Sequence, residues 1–202
     1  MPMDLKARMA GNLAAFPRRA IAPEGRRQAA VAILVFPQET GAAFALTRRS
    51  LTLRHNAGNY ALPGGKLDAG EDAIDAAVRE TSEELGVFLM RDAALGMLDD
   101  FITLGGHVVT PVVLWSDAEV MLKPDPTEVH EAWKIPLAEL DLPQSPRFVP
   151  QPISGPPILQ MYLRDDWVNA PTAAWIYQFR EVALHGRATR IDEVGQPAWT
   201  AR

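Results

Sequence analysis

A chain of 202 residues with 48% hydrophobic residues is long enough to form one globular domain with a full core. The net charge of −5, from 25 acidic and 20 basic residues, gives no basic excess that would indicate broad nucleic-acid binding. The absence of cysteine excludes disulfides and thiolate chemistry. No apolar run approaches the ~18 residues of a membrane span, and the N-terminal segment lacks a secretory signal. We therefore expect a single cytoplasmic domain over residues 1–202, with a variable segment 1–25 and a tail 187–202, and with no nucleic-acid or membrane partner.

Hydrophobic runs and turn residues predict several strands in the first two thirds of the chain. The nearly continuous apolar run Gln28–Phe36 is typical of a buried central strand. The other predicted strands are Ala42–Arg48, Tyr60–Leu62, Gly96–Leu104, His107–Trp115 and Val129–Ile135. Gly105-Gly106 is expected to close a hairpin between two of them.

Other segments are predicted to be helical or irregular. A short packing helix followed by a loop is expected within Met1–Gly25, and a closing helix over Pro171–His185. Pro136–Leu140 is expected to start a helical turn. Gln144–Pro157 carries five prolines without periodicity, which predicts a surface loop. The tail after Arg187 shows no pattern.

A further helix is predicted from Asp72 to Leu85. Asp72, with Asp75 three residues later, is typical of a helix N-cap and its N3 partner, and Gly86 favours a left-handed stop. A stripe at helical spacing, expected to face the core, is formed by Ile74, Val78, Thr81 and Leu85.

The acidic face of this helix is poorly placed for stability. Glu80 and Glu84 are four residues apart, and like charges at that spacing repel by a few tenths of a kcal/mol. Glu83 and Glu84 also lie in the last turn, where the negative helix dipole costs roughly 0.3–1 kcal/mol each. A solvated acidic face is one explanation. A bound divalent cation is the other, and carboxylates with waters suit Mg²⁺ or Mn²⁺.

The spacing of the residues around this helix favours the cation. The stretch fits the pattern G-x5-E-x7-R-E-x-x-E-E-x-G, which would recur by chance in such a chain on the order of once in a million. The pattern is formed by Gly65, Glu71, Arg79, Glu80, Glu83, Glu84 and Gly86. It resembles the Nudix box, which implies a Nudix α/β/α sandwich with a mixed β-sheet.

The resemblance also implies an activity and a metal site. Nudix boxes bind divalent metal ions and hydrolyse nucleoside diphosphates linked to another group. By resemblance, Glu80 and Glu84 are the main metal ligands, and Glu83 adds a ligand or a water contact. The carbonyl of Gly64, the residue before the first box glycine, is also a ligand by resemblance.

The remaining box residues have supporting roles by resemblance. Arg79 orients the glutamates through salt bridges, Glu71 acts similarly, and Gly65 is the first glycine of the box. One position departs from the family, which prefers a bulky aliphatic residue where this chain has Thr81. The methyl group of threonine still suits the core stripe, so we interpret the departure as a packing change.

A second resemblance lies before the box. Coenzyme A diphosphatases carry the signature L-L-T-x-R-S-x3-R-x3-G-x3-F-P-G-G. The chain matches it at Leu46, Thr47, Arg49, Ser50, Arg54, Gly58, Pro63, Gly64 and Gly65. It departs at Ala45, where leucine is usual, and at Leu62, where phenylalanine is usual. Together the two motifs cover about a fifth of the chain, and the second implies coenzyme A or a derivative as the substrate.

The residue types in this signature suit a phosphorylated ligand. The guanidinium fork of arginine donates two hydrogen bonds to phosphate, which makes Arg49 and Arg54 the first candidates, with Arg48 and His55 behind them. The alternative is that these arginines pair with surface acids. Gly58 either lets backbone approach the ligand or serves a turn. The single histidines His107 and His130 are expected to be structural or exposed.

The implied reaction is attack of water on the diphosphate of coenzyme A, giving 4′-phosphopantetheine and 3′,5′-ADP. A carboxylate should accept the proton of the water. Two candidates remain open: Glu83, and Glu128, which lies five residues before Trp133. The sequence also leaves open other substrates of a Nudix hydrolase, namely ADP-ribose, dinucleoside polyphosphates or NTPs. A non-catalytic sensor of nucleotides or metabolites on the same fold is a second alternative. The chain could also form a homodimer.

Overall fold

The computed structural model describes residues 2–151 and 155–201, in which three α-helices and eleven strands are found. The helices are α1 (Pro2–Ala15), α2 (Ala73–Leu85) and α3 (Thr172–Phe179). The strands are β1 (Arg27–Gln38), β2 (Gly41–Arg49), β3 (Tyr60–Ala61), β4 (Gly64–Lys66), β5 (Ala94–Met97), β6 (Phe101–Ile102), β7 (His107–Trp115), β8 (Val129–Pro136), β9 (Arg147–Val149), β10 (Ile158–Leu163) and β11 (Asp166–Asn169).

The larger sheet is mixed and is built around β1. This strand runs parallel to β7, from Arg27 opposite His107 to Val35 opposite Trp115. It runs antiparallel to β2 on its other side and to the short β4. The strand order β3-β2-β1-β7-β5 is extended by β8 on β2 and β6 on β7. The predicted mixed sheet is therefore confirmed.

The two faces of β1 contribute to two separate hydrophobic cores. Val31, Ile33 and Val35 lie in a core with residues of α1 and α3, such as Met9 and Trp175. The alternate residues Ala30, Ala32, Leu34 and Phe36 lie in a second core with Ala76 and Ala77 of α2. Because successive side chains of a strand point to opposite faces, one apolar run supplies both cores. The helices therefore cover both faces of the sheet, as predicted.

Helix α2 has the predicted ends. The Asp72 side chain accepts hydrogen bonds from the backbone N–H groups of Ile74 and Asp75. The backbone N–H of Asp72 in turn donates to the Asp75 carboxylate, which completes a capping box. The helix ends at Gly86, whose φ of 65° is the left-handed conformation that glycine adopts without strain. This confirms the interpretation of Asp72, Asp75 and Gly86 as helix boundaries.

The predicted strand Gly96–Leu104 is wrong as a single strand. It is divided into β5 and β6, which both pair with β7. Between them, the Asp99 carboxylate accepts hydrogen bonds from Arg190 at 2.8 and 2.9 Å, and Asp100 forms an ion pair with Arg18. Two carboxylates that turn inward to meet arginines interrupt the strand, and the apolar pattern gave no sign of these distant partners.

A second sheet of three antiparallel strands, in the order β11-β10-β9, was not predicted. Strand β9 lies within Gln144–Pro157, so the prediction of a loop is wrong for Arg147–Val149. Among the described residues the strand pairs with β10 alone, and an edge strand of three residues tolerates the flanking prolines. Residues 152–154 of the predicted loop, and the terminal residues Met1 and Arg202, lie outside the described residues.

The other predicted elements are confirmed with small shifts. The N-terminal helix α1 buries Met9 and Leu13, and the predicted helical turn after β8 is a 3₁₀ turn over Leu137–Asp141. Helix α3 continues as a wider π-helical turn over Arg180–Leu184, which fills the predicted closing helix. In the part of the chain that the structure describes, no helix has both the length and the apolar character needed to cross a membrane.

Candidate active site

Three glutamates meet beside the middle of the main sheet. Glu80 and Glu84 lie one turn apart on α2, and Glu128 comes from the loop before β8. Each offers a carboxylate oxygen, and the three oxygens lie within 4.8 Å of one another. The side chains of α2 are not solvated here: Glu80 is 8% exposed and Glu84 is 3% exposed, whereas Glu128 is exposed. Two of the three glutamates of the acidic face, Glu80 and Glu84, are therefore withdrawn from solvent.

Backbone hydrogen bonds fix the loop that carries Glu128. Asp125 N donates to Glu84 O at 3.0 Å, which ties the loop to the C-terminal end of α2. Ser50 N donates to Glu128 O at 2.8 Å, which ties it to the end of β2. The loop therefore holds the Glu128 carboxylate against the helix, although Glu84 and Glu128 are more than forty positions apart in sequence.

The environment of these glutamates opposes their ionisation. Burial, as the main cause, and the nearby carboxylates of Glu80 and Glu128 together raise the pKa of Glu84 to about 8, although Arg49 and a backbone hydrogen bond from Gly64 act in the opposite direction. Burial also raises the pKa of Glu80, and Arg79 offsets only part of that effect. Within the protein alone, the negative charge of this cluster is undercompensated.

Arg79 connects the surrounding acids. Its guanidinium donates to Glu71 at 2.8 Å, to Glu80 at 2.8 Å and to Glu83 at 2.9 Å. These contacts hold the pKa of Arg79 above its usual value and, with Glu71 as the partner, lower the pKa of that carboxyl. Arginine suits this position because one planar fork reaches several carboxylates at once. Glu83 is 58% exposed and lies outside the cluster of three.

Gly64 and Gly65 allow the strand β4 to approach the cluster. A Cβ atom on Gly65 would lie 2.1 Å from Glu80 Oε1, and one on Gly64 would lie 2.3 Å from Ala30 O. Any larger residue would displace either the carboxylate or the central strand β1. Close contact with the backbone of β1 therefore requires glycine at position 64, and Gly65 leaves the space that the Glu80 carboxylate occupies.

The donor set of the cluster fits a divalent metal ion. Three carboxylates within one small volume are hard oxygen ligands, which Mg²⁺ and Mn²⁺ prefer to nitrogen or sulfur. Two of them are buried, and Glu84 lies in the last turn of the helix, where a cation would neutralise charge that the protein leaves uncompensated. The predicted ligands Glu80 and Glu84 are thus brought together, with Glu128 in addition.

A cavity of about 780 Å³ begins at Gly64 and Gly65 and extends away from the glutamates. Among the described residues that line it, the basic side chains outnumber the acidic ones: Arg27, Arg48, Arg49 and Lys66 stand against Asp166. The Nε atom of Arg49 is buried and has no acceptor among the described residues. Arg49 lines the cavity and lies close enough to Glu84 to lower its pKa, so its guanidinium is a candidate to bind a phosphate beside the cluster.

Of the other candidates for phosphate binding, some line the cavity and one does not. Gly58, whose φ is 72°, and His55 line the cavity, and Arg48 donates to Gly58 O at 2.9 Å. Arg54 is exposed and lies outside the set of described residues that line the cavity. Of the two histidines expected to be structural or exposed, His130 is exposed on β8 and His107 lines the cavity.

Sequence reasoning missed an aromatic part of the cavity. Trp167 of β11, Trp175 of α3 and Trp199 of the tail line its wall, together with Gln196. The first of these belongs to the sheet that was not predicted, and the tail carried no pattern. Only the number of tryptophans, five in the chain, could have directed attention to them.

Comparisons with known proteins agree with this geometry. The NUDIX domain family matches residues 26–152. The chain is 40% identical over 95 residues to the uncharacterized Nudix hydrolase NudL of Photorhabdus laumondii, covering 46% of this chain and 51% of the relative. It is 37% identical over 115 residues to NudL of Pectobacterium atrosepticum, covering 56% and 59% of the two chains. The chain therefore spans between half and three fifths of the length of these curated relatives.

A solved structure supports the fold. The MutT/nudix family protein from Enterococcus faecalis has a TM-score of 0.54 and 16% sequence identity to this chain, covering 78% of this chain and 62% of that protein. At this identity the likeness concerns the arrangement of helices and strands alone.

Proposed function

The chain belongs to the Nudix family, whose hydrolases cleave phosphoric anhydride bonds, and on this premise we propose that it hydrolyses the diphosphate of coenzyme A or a derivative. The products are 4′-phosphopantetheine and 3′,5′-ADP. One observation carries the proposal: the buried carboxylates of Glu80 and Glu84, with Glu128, lie beside Gly65, which lines a cavity whose basic side chains outnumber its acidic ones. Such a site combines groups for a cation with groups for an anionic substrate.

The cluster would hold Mg²⁺ or Mn²⁺ through Glu80 and Glu84, with the carbonyl of Gly64 as a further ligand. When bound, the ion supplies charge stabilisation for the phosphate oxygens under attack. Arg79 acts as a positioning residue, because its contacts with Glu71, Glu80 and Glu83 fix the rotamers of these acids. Gly65 serves the same end by allowing Glu80 to approach β4.

Glu128 is the stronger candidate for the general base. Its carboxylate lies within 4.8 Å of Glu80 and Glu84, where an attacking water would be bound, and it is exposed enough to release a proton to solvent. Glu83, the other candidate, accepts a hydrogen bond from Arg79 at 2.9 Å and lies outside the cluster of three. Replacing Glu128 with glutamine should lower kcat more than replacing Glu83.

The choice of coenzyme A rests on the residues before the box. The signature residues Arg49 and Gly58 line the cavity, and the guanidinium of Arg49 suits the diphosphate. Coenzyme A carries a 3′-phosphate besides its diphosphate, so it has a second anionic group for the remaining basic residues Arg27, Arg48 and Lys66. The exposed Arg54 would reach the substrate only if its loop moved on binding.

The proposal is tested by measuring hydrolysis with Mg²⁺ or Mn²⁺ over coenzyme A, acyl-coenzyme A, ADP-ribose, NADH and dinucleoside polyphosphates. We expect the highest kcat/KM for coenzyme A or an acyl derivative, with 4′-phosphopantetheine and 3′,5′-ADP as products. Much faster turnover of ADP-ribose would contradict the substrate. Absence of hydrolysis of every diphosphate, with a folded protein and added metal, would contradict the activity.

A further inference from the structure

The end of the cavity remote from the glutamates is closed by the tail of the chain. Gln196, Trp199 and Thr200 line it, and all three lie beyond residues 26–152, which match the NUDIX domain. Trp199 is 46% exposed, so a large part of its indole surface is accessible to a ligand. Part of the wall of the substrate cavity therefore comes from outside the segment shared with the family.

Contacts on two sides hold this tail in place. The Gln196 side chain donates to Ile102 O at 3.0 Å and accepts from Leu104 N at 3.1 Å, which attaches it to β6 and the turn that follows. Gly195 N donates to Pro157 O at 2.9 Å, next to β10. A Cβ atom on Gly195 would lie 2.2 Å from Pro156 O, so only glycine permits this approach. Gly195 and Gln196 are thus anchored to two parts of the fold, and this anchor lies three residues before Trp199.

The register of β1 indicates how far this wall lies from the carboxylates. Val31 is opposite Gly64 beside the cluster, Ala29 is opposite Lys66, and Arg27 is opposite His107 near the turn that Gln196 contacts. From Val31 to Arg27 the strand rises by about 13 Å. A nucleoside attached to a diphosphate can cover this span, and its phosphates would pass the basic side chains of Lys66 and Arg27.

The chemistry of the wall suits an aromatic base. Trp199 offers a flat indole surface, on which bases of any sequence stack. Trp175 is 5% exposed and lines the same cavity, and its Nε1 has no acceptor among the described residues. Since that nitrogen has less than 1 Å² of accessible surface, Trp175 contributes ring carbons rather than a hydrogen-bond donor to the cavity.

We propose that segment 195–200 is the base-binding wall of the cavity, with the indole of Trp199 stacking on the nucleobase of the substrate. The inference rests on the proposed function for the position of the diphosphate, and it assigns the nucleotide half of the substrate, rather than the pantetheine half, to this end. Trp199 then favours substrates that carry a nucleobase at this end, and it does so without touching the reacting phosphorus. It should act on substrate binding and hardly on turnover.

Calorimetric titration in the presence of Mg²⁺ with each product of coenzyme A hydrolysis tests the inference. In Trp199→Ala we expect affinity for 3′,5′-ADP to fall roughly 10-fold, and affinity for 4′-phosphopantetheine to stay unchanged. Trp199→Phe keeps an aromatic face and should recover most of the loss. Phe88→Ala is the matched control, since Phe88 is 84% exposed and lies outside the described residues that line the cavity.

Three results would overturn the inference: no measurable affinity of the wild-type protein for 3′,5′-ADP, equal affinity in Trp199→Ala, or a loss confined to 4′-phosphopantetheine. Steady-state kinetics separate this inference from the proposed function. If the wild-type protein hydrolyses coenzyme A and Trp199→Ala leaves KM unchanged, the wall is wrong and the activity stands. If no diphosphate is hydrolysed but Trp199→Ala still weakens 3′,5′-ADP, the activity is wrong and the wall stands.

Discussion

Helix α2 carries acidic side chains at both ends, and the surroundings at the two ends have opposite effects on the ionisation of these side chains. At the N-terminal end, Asp72 accepts hydrogen bonds from two backbone N–H groups and from Arg91 at 2.8 Å. Arg91 is the largest cause of a pKa of Asp72 well below its usual range. Here the positive end of the helix dipole, the cap and a nearby guanidinium all stabilise the ionised form.

At the C-terminal end the same residue type meets the reverse conditions. Glu84 is 3% exposed, lies at the negative end of the dipole and has two other carboxylates beside it. The fold therefore raises its pKa to about 8. The comparison separates structural acids from functional ones: the fold stabilises the ionised form of the first and penalises that of the second, and only a cation would reverse the penalty.

The largest effect is expected from Glu84→Gln. The change removes a metal ligand while keeping the shape of the side chain, so kcat/KM should fall on the order of 10³-fold. Asp75→Asn is the matched control, because it makes the same change on an exposed acid at the other end of the helix. Steady-state kinetics at saturating Mg²⁺ measure both. Equal rates in the two variants would remove the distinction between the two ends.

The two arginines that bind these acids provide the next comparison. Arg79→Lys replaces a fork that reaches Glu71, Glu80 and Glu83 by a single ammonium group, and apparent metal affinity should fall roughly 10–100-fold. Arg91→Lys makes the same change at the capping end and should leave metal affinity unaltered. Activity measured against Mn²⁺ concentration gives both values. A similar loss in Arg91→Lys would show that the effect is one of general stability.

The two ends should also respond oppositely to pH in the metal-free protein. The pKa of Glu84 in the folded state lies above its unfolded value, so its contribution to stability is present below about pH 4.5 and is lost as pH rises through about 8. The pKa of Asp72 is lowered on folding, so its contribution is present above about pH 4 and is lost on acidification. Calorimetric melting temperatures in EDTA should therefore fall less between pH 5 and 8 in Glu84→Gln, and less below pH 4 in Asp72→Ala. Unchanged slopes in both variants would contradict this account.

The smallest effect is expected from Asp72→Ala at neutral pH. Loss of the N-cap hydrogen bonds should lower the free energy of unfolding by about 0.5–2 kcal/mol, and kcat/KM should stay within about twofold of the wild-type value. Urea denaturation measures the first and a standard assay the second. A large loss of activity without a loss of stability would show that the capping end takes part in the reaction.

The sequence predicted those parts of the fold that depend on local signals. The apolar run of β1, the cap at Asp72 and the stop at Gly86 are recognisable without tertiary information, and the structure has them where they were expected. The divided strand around Asp99 could not be predicted, because its cause is Arg190, which lies 91 positions away in the chain. The second sheet was not predicted because the local signal of β9 is weak: this strand is three residues long and lies among prolines.

The candidate site was predictable on the side of the box and hidden on the side of the cavity wall. Fixed spacing placed Glu80 and Glu84 on one helix face, and the structure brings them together. Glu128 was one of two candidates for the base, and only the tertiary fold shows which of them joins the cluster. Trp175 and Trp199 carry no local signal, because their role depends on where α3 and the tail pack.

An anomalous diffraction map from crystals soaked in Mn²⁺ at pH 8 tests the central claim most directly, namely that the buried glutamates tolerate one another because a divalent cation binds between them. The account predicts a strong peak within about 2.5 Å of carboxylate oxygens of both Glu80 and Glu84, and its loss in Glu84→Gln. A map in which these carboxylates remain without metal, while manganese occupies acids elsewhere on the surface, would contradict it.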